Sequence, residues 1–205
     1  MLLLQNPDPI VLAGIVIGLV TGITFHEFTH AFIANQLGDH MPRALGRVSL
    51  NPLRHLDPLG TVMLVLVGMG WGRPVPVNPA ALRPGRRGMA LVAAGGPVAN
   101  VVVGVVLSAG VRVLVAADLT GPVAGVLFYA VYVNLLLAML NLIPIPPLDG
   151  YNVVLAFVPP RWIYPVQRYA NYGVLVLVAL LVLPGSPLRL LLGLALPWAT
   201  LLVGL

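Results

Sequence analysis

The chain has 205 residues, 59% of them hydrophobic and only 8% charged, where about 25% charged is usual for a soluble domain. So few charges cannot cover a water-facing surface, which excludes an ordinary soluble globule and leaves lipid as the solvent. The net charge of +5 comes from eleven Arg and no Lys. These Arg lie between apolar runs, the pattern of membrane loops rather than of a nucleic-acid surface, and the absence of Cys excludes disulfide and thiolate chemistry.

The N-terminal MLLLQNPDP has no basic region, and the apolar run behind it carries His26, Glu27 and His30, so no cleaved leader is expected. A spanning helix needs about 20 apolar residues. Residues 10–37 form the first such run, stopped by Gly38-Asp39. Residues 59–70 are apolar but too few to cross as a helix, rich in Val and flanked by Gly. They read as a re-entrant segment, helical or β, because irregular backbone at that depth must line protein or a wet cavity. Residues 88–117 and 123–143 are two further spans. Residues 171–183 and 188–205 flank Pro184-Gly185-Ser186-Pro187 and read as a hairpin with a short first arm.

The expected fold is therefore an all-α polytopic membrane protein with about five transmembrane helices and one re-entrant segment, a single membrane-embedded domain over residues 1–205. The Arg positions support one orientation. Arg43, Arg47 and Arg54 precede the re-entrant run, Arg73, Arg83, Arg86 and Arg87 follow it, and Arg161 and Arg168 precede the hairpin. Basic loops face the cytoplasm, which places the N-terminus outside and the C-terminus inside.

His26-Glu27-Phe28-Thr29-His30 is H-E-x-x-H. On a helix, residues i and i+4 share a face, so both imidazoles can reach one zinc ion. A catalytic zinc takes three protein ligands and keeps one position open. Glu27 is the only Glu of the chain and sits inside an apolar helix, where an unpaired carboxylate is expensive. As a base beside the ligands it has a chemical reason to be there.

The third ligand must come from elsewhere. His40, His55, Asp39 and Asp57 lie in the first loop region, and Asp8 and Asp118 at the other face. Asp149 follows the third long span in Asn141-Leu142-Ile143-Pro144-Ile145-Pro146-Pro147-Leu148-Asp149-Gly150. There the prolines end the helix and carry the chain extended. Physically Asp149 is the best ligand candidate, and the cap of a following short helix is the competing reading. Asn141, at the end of the span, can hold substrate or stabilise an oxyanion, or bond another helix. Asn100 can reach the active-site region, with a packing or hydrogen-bond role favoured. Asn134 reads as structural. Gly14, Gly18 and Gly22, spaced by four, read as a close helix contact. His55 and Asp57 read as loop anchors.

With both motifs in view, the chain resembles the site-2 protease family of intramembrane zinc metalloproteases. The first family motif is matched by His26–His30. The second, N-x-x-P-x-P-x-L-D-G, is matched by Asn141, Pro144, Pro146, Leu148, Asp149 and Gly150. Residues 51–60, 74–79 and Gly96-Pro97-Val98-Ala99-Asn100 are similar to the compact prokaryotic branch, which has no PDZ or CBS domain. The resemblance implies one Zn2+ held by His26, His30 and Asp149, with Glu27 as catalytic base. It implies regulated intramembrane proteolysis of membrane-spanning protein substrates at a site opening toward the cytoplasm, in the cell membrane of a prokaryote. The alternative is a zinc-binding membrane scaffold or chaperone that does not cleave, against which the retained Glu27 argues.

Overall fold

The computed structural model describes residues 8–60, 71–83 and 85–204. Nine α-helices lie among them: α1 (Pro9–Gln36), α2 (Met41–Ala44), α3 (Arg86–Ala116), α4 (Pro122–Asn141), α5 (Asp149–Leu155), α6 (Pro160–Arg168), α7 (Gly173–Val182), α8 (Pro187–Gly193) and α9 (Ala195–Val203). No β-strand occurs among the described residues, only an isolated antiparallel bridge between Leu56 and Gly72.

Three helices, α1, α3 and α4, are long and apolar enough to cross a bilayer. The chain is an all-α integral membrane protein. The expected span at 171–183 corresponds to the second arm of a bent pair. Helix α7 has only ten residues, and it joins the preceding helix as a bent pair, Pro160–Arg168 with Ala170–Val182, at 43°. Counted as one, that pair gives a fourth crossing. The expected span 188–205 corresponds to an apolar helical stretch, Pro187–Val203, shorter than a full crossing and with one irregular residue at Leu194.

Helices α1, α3 and α4 pack on one another and form the centre of the molecule. The glycines of α1 make this possible. A Cβ at Gly14 would stand 2.5 Å from the Tyr129 Cβ, and one at Gly18 would stand 2.9 Å from the Ala130 Cα. Backbones approach this closely only without side chains between them, as the spacing of these glycines predicts. Two fully buried amides tie the three helices together. Asn100 Nδ2 donates to the Gly22 carbonyl (3.1 Å) and to Asn134 Oδ1 (3.3 Å), and Asn134 Nδ2 donates to the carbonyls of Ala130 (2.9 Å) and Gly18 (3.3 Å). Buried amides are tolerated in such a place only when satisfied in this way.

The expected re-entrant segment falls outside the described residues except for Leu59 and Gly60. Its two flanks meet. Gly60 abuts the Trp71 backbone, Arg73 N–H donates to the His55 carbonyl (2.7 Å), and the Arg47 guanidinium bonds the carbonyls of both Arg54 and Arg73. At this end of the bundle the first helix finishes and α3 begins, since Arg83 N–H donates to the Leu37 carbonyl (2.9 Å). The end of α9 lies at the other end. Arg112, near the finish of α3, donates to the carbonyls of Leu202 (2.6 Å) and Leu201 (3.3 Å). This corrects the expected C-terminus: it stands at the end opposite the Arg-rich loops, because α8 and α9 run back along α4 and α3.

Candidate metal centre

Helix α1 brings His26 and His30 to one face, both buried, with ring centroids 4.5 Å apart. Each ring is held through Nδ1. That of His30 lies 2.7 Å from the Val92 carbonyl, and that of His26 lies 2.7 Å from Asn100 Oδ1. A carbonyl only accepts, so each Nδ1 carries a proton. The orientation of Asn100 follows from its amide nitrogen, which is committed to Gly22 and Asn134. Both rings therefore turn Nε2 toward the same point, the arrangement that a backing acceptor imposes on metal-binding histidines.

Asp149 arrives from the other side of that point. Pro144, Pro146 and Pro147 lead the chain out of α4 and into α5, where Asp149 is the first residue. Leu148, not Asp149, occupies the cap position, and no side chain caps this helix. Asp149 Oδ2 stands 2.9 Å from His26 Nε2 and 3.3 Å from His30 Nε2. It is buried and has no hydrogen-bond partner.

Three atoms that all offer lone pairs converge here, so a cation must sit among them, either a proton or a metal. Burial raises the pKa of the Asp149 carboxyl, and a proton shared with the two imidazoles outweighs this and lowers it to about 2. Ligand atoms at about 2 Å from one ion stand about 3.3 Å apart around a tetrahedron, close to the spacing found. Two imidazole nitrogens and one carboxylate oxygen are a donor set that suits zinc. Among the described residues, His26, His30 and Asp149 are the group of three able to hold a metal.

Glu27 faces a cavity of about 310 Å3 whose walls include His26, His30, Asn141, Asp149 and Asn152. Its Oε2 accepts a hydrogen bond from the Val75 N–H (3.0 Å). Two larger apolar cavities, about 620 and 640 Å3, touch none of His26, Glu27, His30 and Asp149.

Asn100 lies behind His26 with every polar atom engaged, so the geometry gives it a supporting contact rather than a place on the cavity wall. Asn141 lines the cavity, and its Nδ2 donates to the Leu137 carbonyl of its own helix (2.9 Å). His55 is fully buried, donates from Nε2 to the Ser49 carbonyl (2.6 Å), and has its pKa pushed down by burial. Asp57 Oδ1 accepts from the Gly60 N–H (2.8 Å). Both fit the loop-anchor reading.

Sequence reasoning gave no role to Gly96, Val92 or Val75. A Cβ at Gly96 would stand 2.6 Å from His26 Nε2, so this position must stay bare. The other two act through backbone atoms, which every residue possesses and no motif reveals.

Comparison with known proteins gives the family. The pattern of Peptidase family M50 matches residues 115–184, the part that contains Asn141 and Asp149. The chain is 36% identical over 179 residues to "Putative zinc metalloprotease YwhC" of Bacillus subtilis, covering 83% of this chain and 80% of that one. It is 34% identical over 186 residues to "Putative zinc metalloprotease Rip2" of Mycobacterium tuberculosis, covering 84% and 71%. The Rip2 protein of Mycolicibacterium smegmatis is 30% identical over 176 residues, covering 83% and 67%. No solved structure matches the chain. A His-His-Asp cluster with a carboxylate beside it, on apolar spanning helices, thus meets sequence relatives that are zinc metalloproteases by name, and the chain belongs to Peptidase family M50, the site-2 protease family, with Zn2+ as its cofactor.

Proposed function

We propose that the protein hydrolyses peptide bonds of membrane-spanning proteins inside the bilayer, with His26, His30 and Asp149 as zinc ligands and Glu27 as catalytic base. The observation that carries this reading is the convergence of three ligand atoms beside Glu27 in one cavity, on a helix that crosses the membrane. Glu27 precedes the end of α1 by nine residues, roughly 14 Å by helical rise. Bound zinc supplies Lewis acidity, which makes water acidic near neutral pH and polarises a carbonyl.

The protein's own groups do the rest. Asn100 and the Val92 carbonyl fix the histidine rings, so the ligand atoms need no reorganisation. Val75 N–H holds one oxygen of Glu27. The other oxygen takes the proton of the attacking water and returns it to the leaving amine. Asn141, on the cavity wall, offers its amide to the substrate backbone. The site lies toward the end of the bundle that carries Arg43, Arg47, Arg54, Arg73 and Arg83. Basic loops mark the cytoplasmic side, so water enters and products leave on that side of the cell membrane. The substrates are single-span proteins whose helix unwinds locally, because a helix hides its carbonyls.

A tagged single-span substrate with a Gly/Pro-weakened helix tests the reading. Wild type in detergent is expected to cut it, a zinc chelator to stop the cut, and Glu27→Gln to retain zinc while losing at least about a hundredfold in kcat. Equal cleavage by wild type and Glu27→Gln would overturn the assignment of the base.

A further inference from the structure

His26 and Glu27 stand on the walls of two cavities, not one. The first holds His30 and Asp149. The second, about 300 Å3, is lined by Leu19, Ile23, Leu137, Leu140, Leu148 and Leu177, together with Trp71 and Gly72. Asn141 belongs to both. Among the described residues, His26, Glu27 and Asn141 are the polar side chains of the second cavity apart from the indole of Trp71. All three also face the first, so they mark where the two spaces adjoin.

We propose that the second cavity receives the side chain of a substrate residue flanking the scissile bond and selects a large apolar residue, from leucine to phenylalanine in size. This rests on the protease reading above. Position supports it first: a peptide whose carbonyl lies beside Glu27 has a neighbouring side chain within reach of Leu140 and Leu148. Size supports it next. A dry cavity of roughly 150 Å3 is enough to hold benzene, so about 300 Å3 holds a leucine or phenylalanine side chain. Polarity excludes the rest. Away from its boundary with the first cavity the described wall is made mainly of leucine and isoleucine side chains, and a charged or amide side chain placed against them would lose its hydration without a partner. Leu177 of α7 is the single contribution of the helices after Pro159 to either space.

The test uses one tagged single-span substrate with its cleavage site mapped by mass spectrometry. The flanking residues are varied among Leu, Phe, Ala and Asp. Wild type is expected to favour Leu over Ala at one flanking position by about ten- to a hundredfold in kcat/KM, and to reject Asp. Leu177→Trp, which fills the cavity, is expected to collapse the Leu/Ala ratio toward one. Leu140→Ala, which enlarges it, is expected to raise cleavage of a Trp substrate relative to Leu. In Glu27→Gln, a photo-reactive leucine analogue at that substrate position is expected to crosslink to the Leu140–Leu148 stretch or to Leu177. Cleavage whose ratios both variants leave unmoved, with crosslinks elsewhere, would overturn the pocket and keep the protease. Crosslinks at these leucines with no cleavage of any substrate by wild type would keep the pocket and overturn the protease reading.

Discussion

The three helices α1, α3 and α4 differ in construction from the helices after Pro159. The first group is built from small residues and buried amides: Gly14 and Gly18 against α4, and the Asn100–Asn134 pair among all three. The second group turns large apolar side chains outward, with Leu175, Leu183 and Leu190 all more than half exposed. Trp162, Tyr164, Tyr169 and Tyr172 cluster near the bend and are also exposed, as expected where a chain passes the membrane interface. A site whose ligand atoms must stay within a few tenths of an ångström belongs on the tight group. The loose group faces lipid, where the environment is as apolar as leucine and close fit between helices brings less.

The sharpest way to break this comparison is to remove a ligand. Asp149→Ala leaves two histidines and an open carboxylate position. Zinc retention in the purified protein is expected to weaken by more than about a hundredfold, beyond the range for a merely supporting residue. Metal analysis after dialysis against a weak chelator reads this, and a full zinc complement in the variant would remove Asp149 from the ligand set.

A supporting contact should cost less. Asn100→Ala takes the acceptor from His26 Nδ1 and leaves Asn134 with a lost partner. Zinc affinity or turnover is expected to drop about 10–100-fold. Zinc competition titration checks it, and affinity and turnover both equal to wild type would show that the ring orientation is set by packing alone. Val75 gives a finer separation, because its role resides in the backbone. Val75→Pro deletes the N–H that bonds Glu27, while Val75→Ala keeps it. The proline variant is expected to lose about tenfold in kcat with KM and zinc content near wild type, a fraction of the whole contribution of a general base. The alanine variant is expected to match wild type in kcat. Equal loss in both would assign the effect to the side chain instead.

The parts of this site legible in the sequence are those that side chains announce. H-E-x-x-H fixes a helix face, a carboxylate after a proline-broken helix supplies the proposed third ligand, and glycines four apart mark a close contact. What stayed hidden works through other means. The Val92 carbonyl and the Val75 N–H carry no residue signature. Gly96 is required for the space beside His26 and His30, which exists only once α3 lies on α1. The bend after Pro159 was not legible because hydropathy sees apolar runs but not bends: α6 carries Arg161 and Arg168 and yet continues into α7. The expected position of the C-terminal end followed from counting crossings, and an apolar stretch at 187–203 that is shorter than a full crossing changes the count.

The smallest expected effects compare the two groups directly. Gly18→Val places a Cβ 2.9 Å from the Ala130 Cα and 2.8 Å from the Val133 Cβ. These are a main-chain atom and the first atom of a β-branched side chain, and neither can swing away, so α1 and α4 must separate. A loss of about 1–3 kcal/mol is the ordinary cost of overpacking. Leu175→Ala acts on a residue 67% exposed on α7, where lipid replaces the lost methyl contacts, and its effect is expected to stay within about 0.5 kcal/mol. Unfolding of both variants in the same detergent, followed by helical circular dichroism, measures the difference. If Leu175→Ala destabilised as much as Gly18→Val, the helices after Pro159 would have to be as tightly packed in solution as the three that carry the site, and the division between a rigid centre and a lipid-facing periphery would fail.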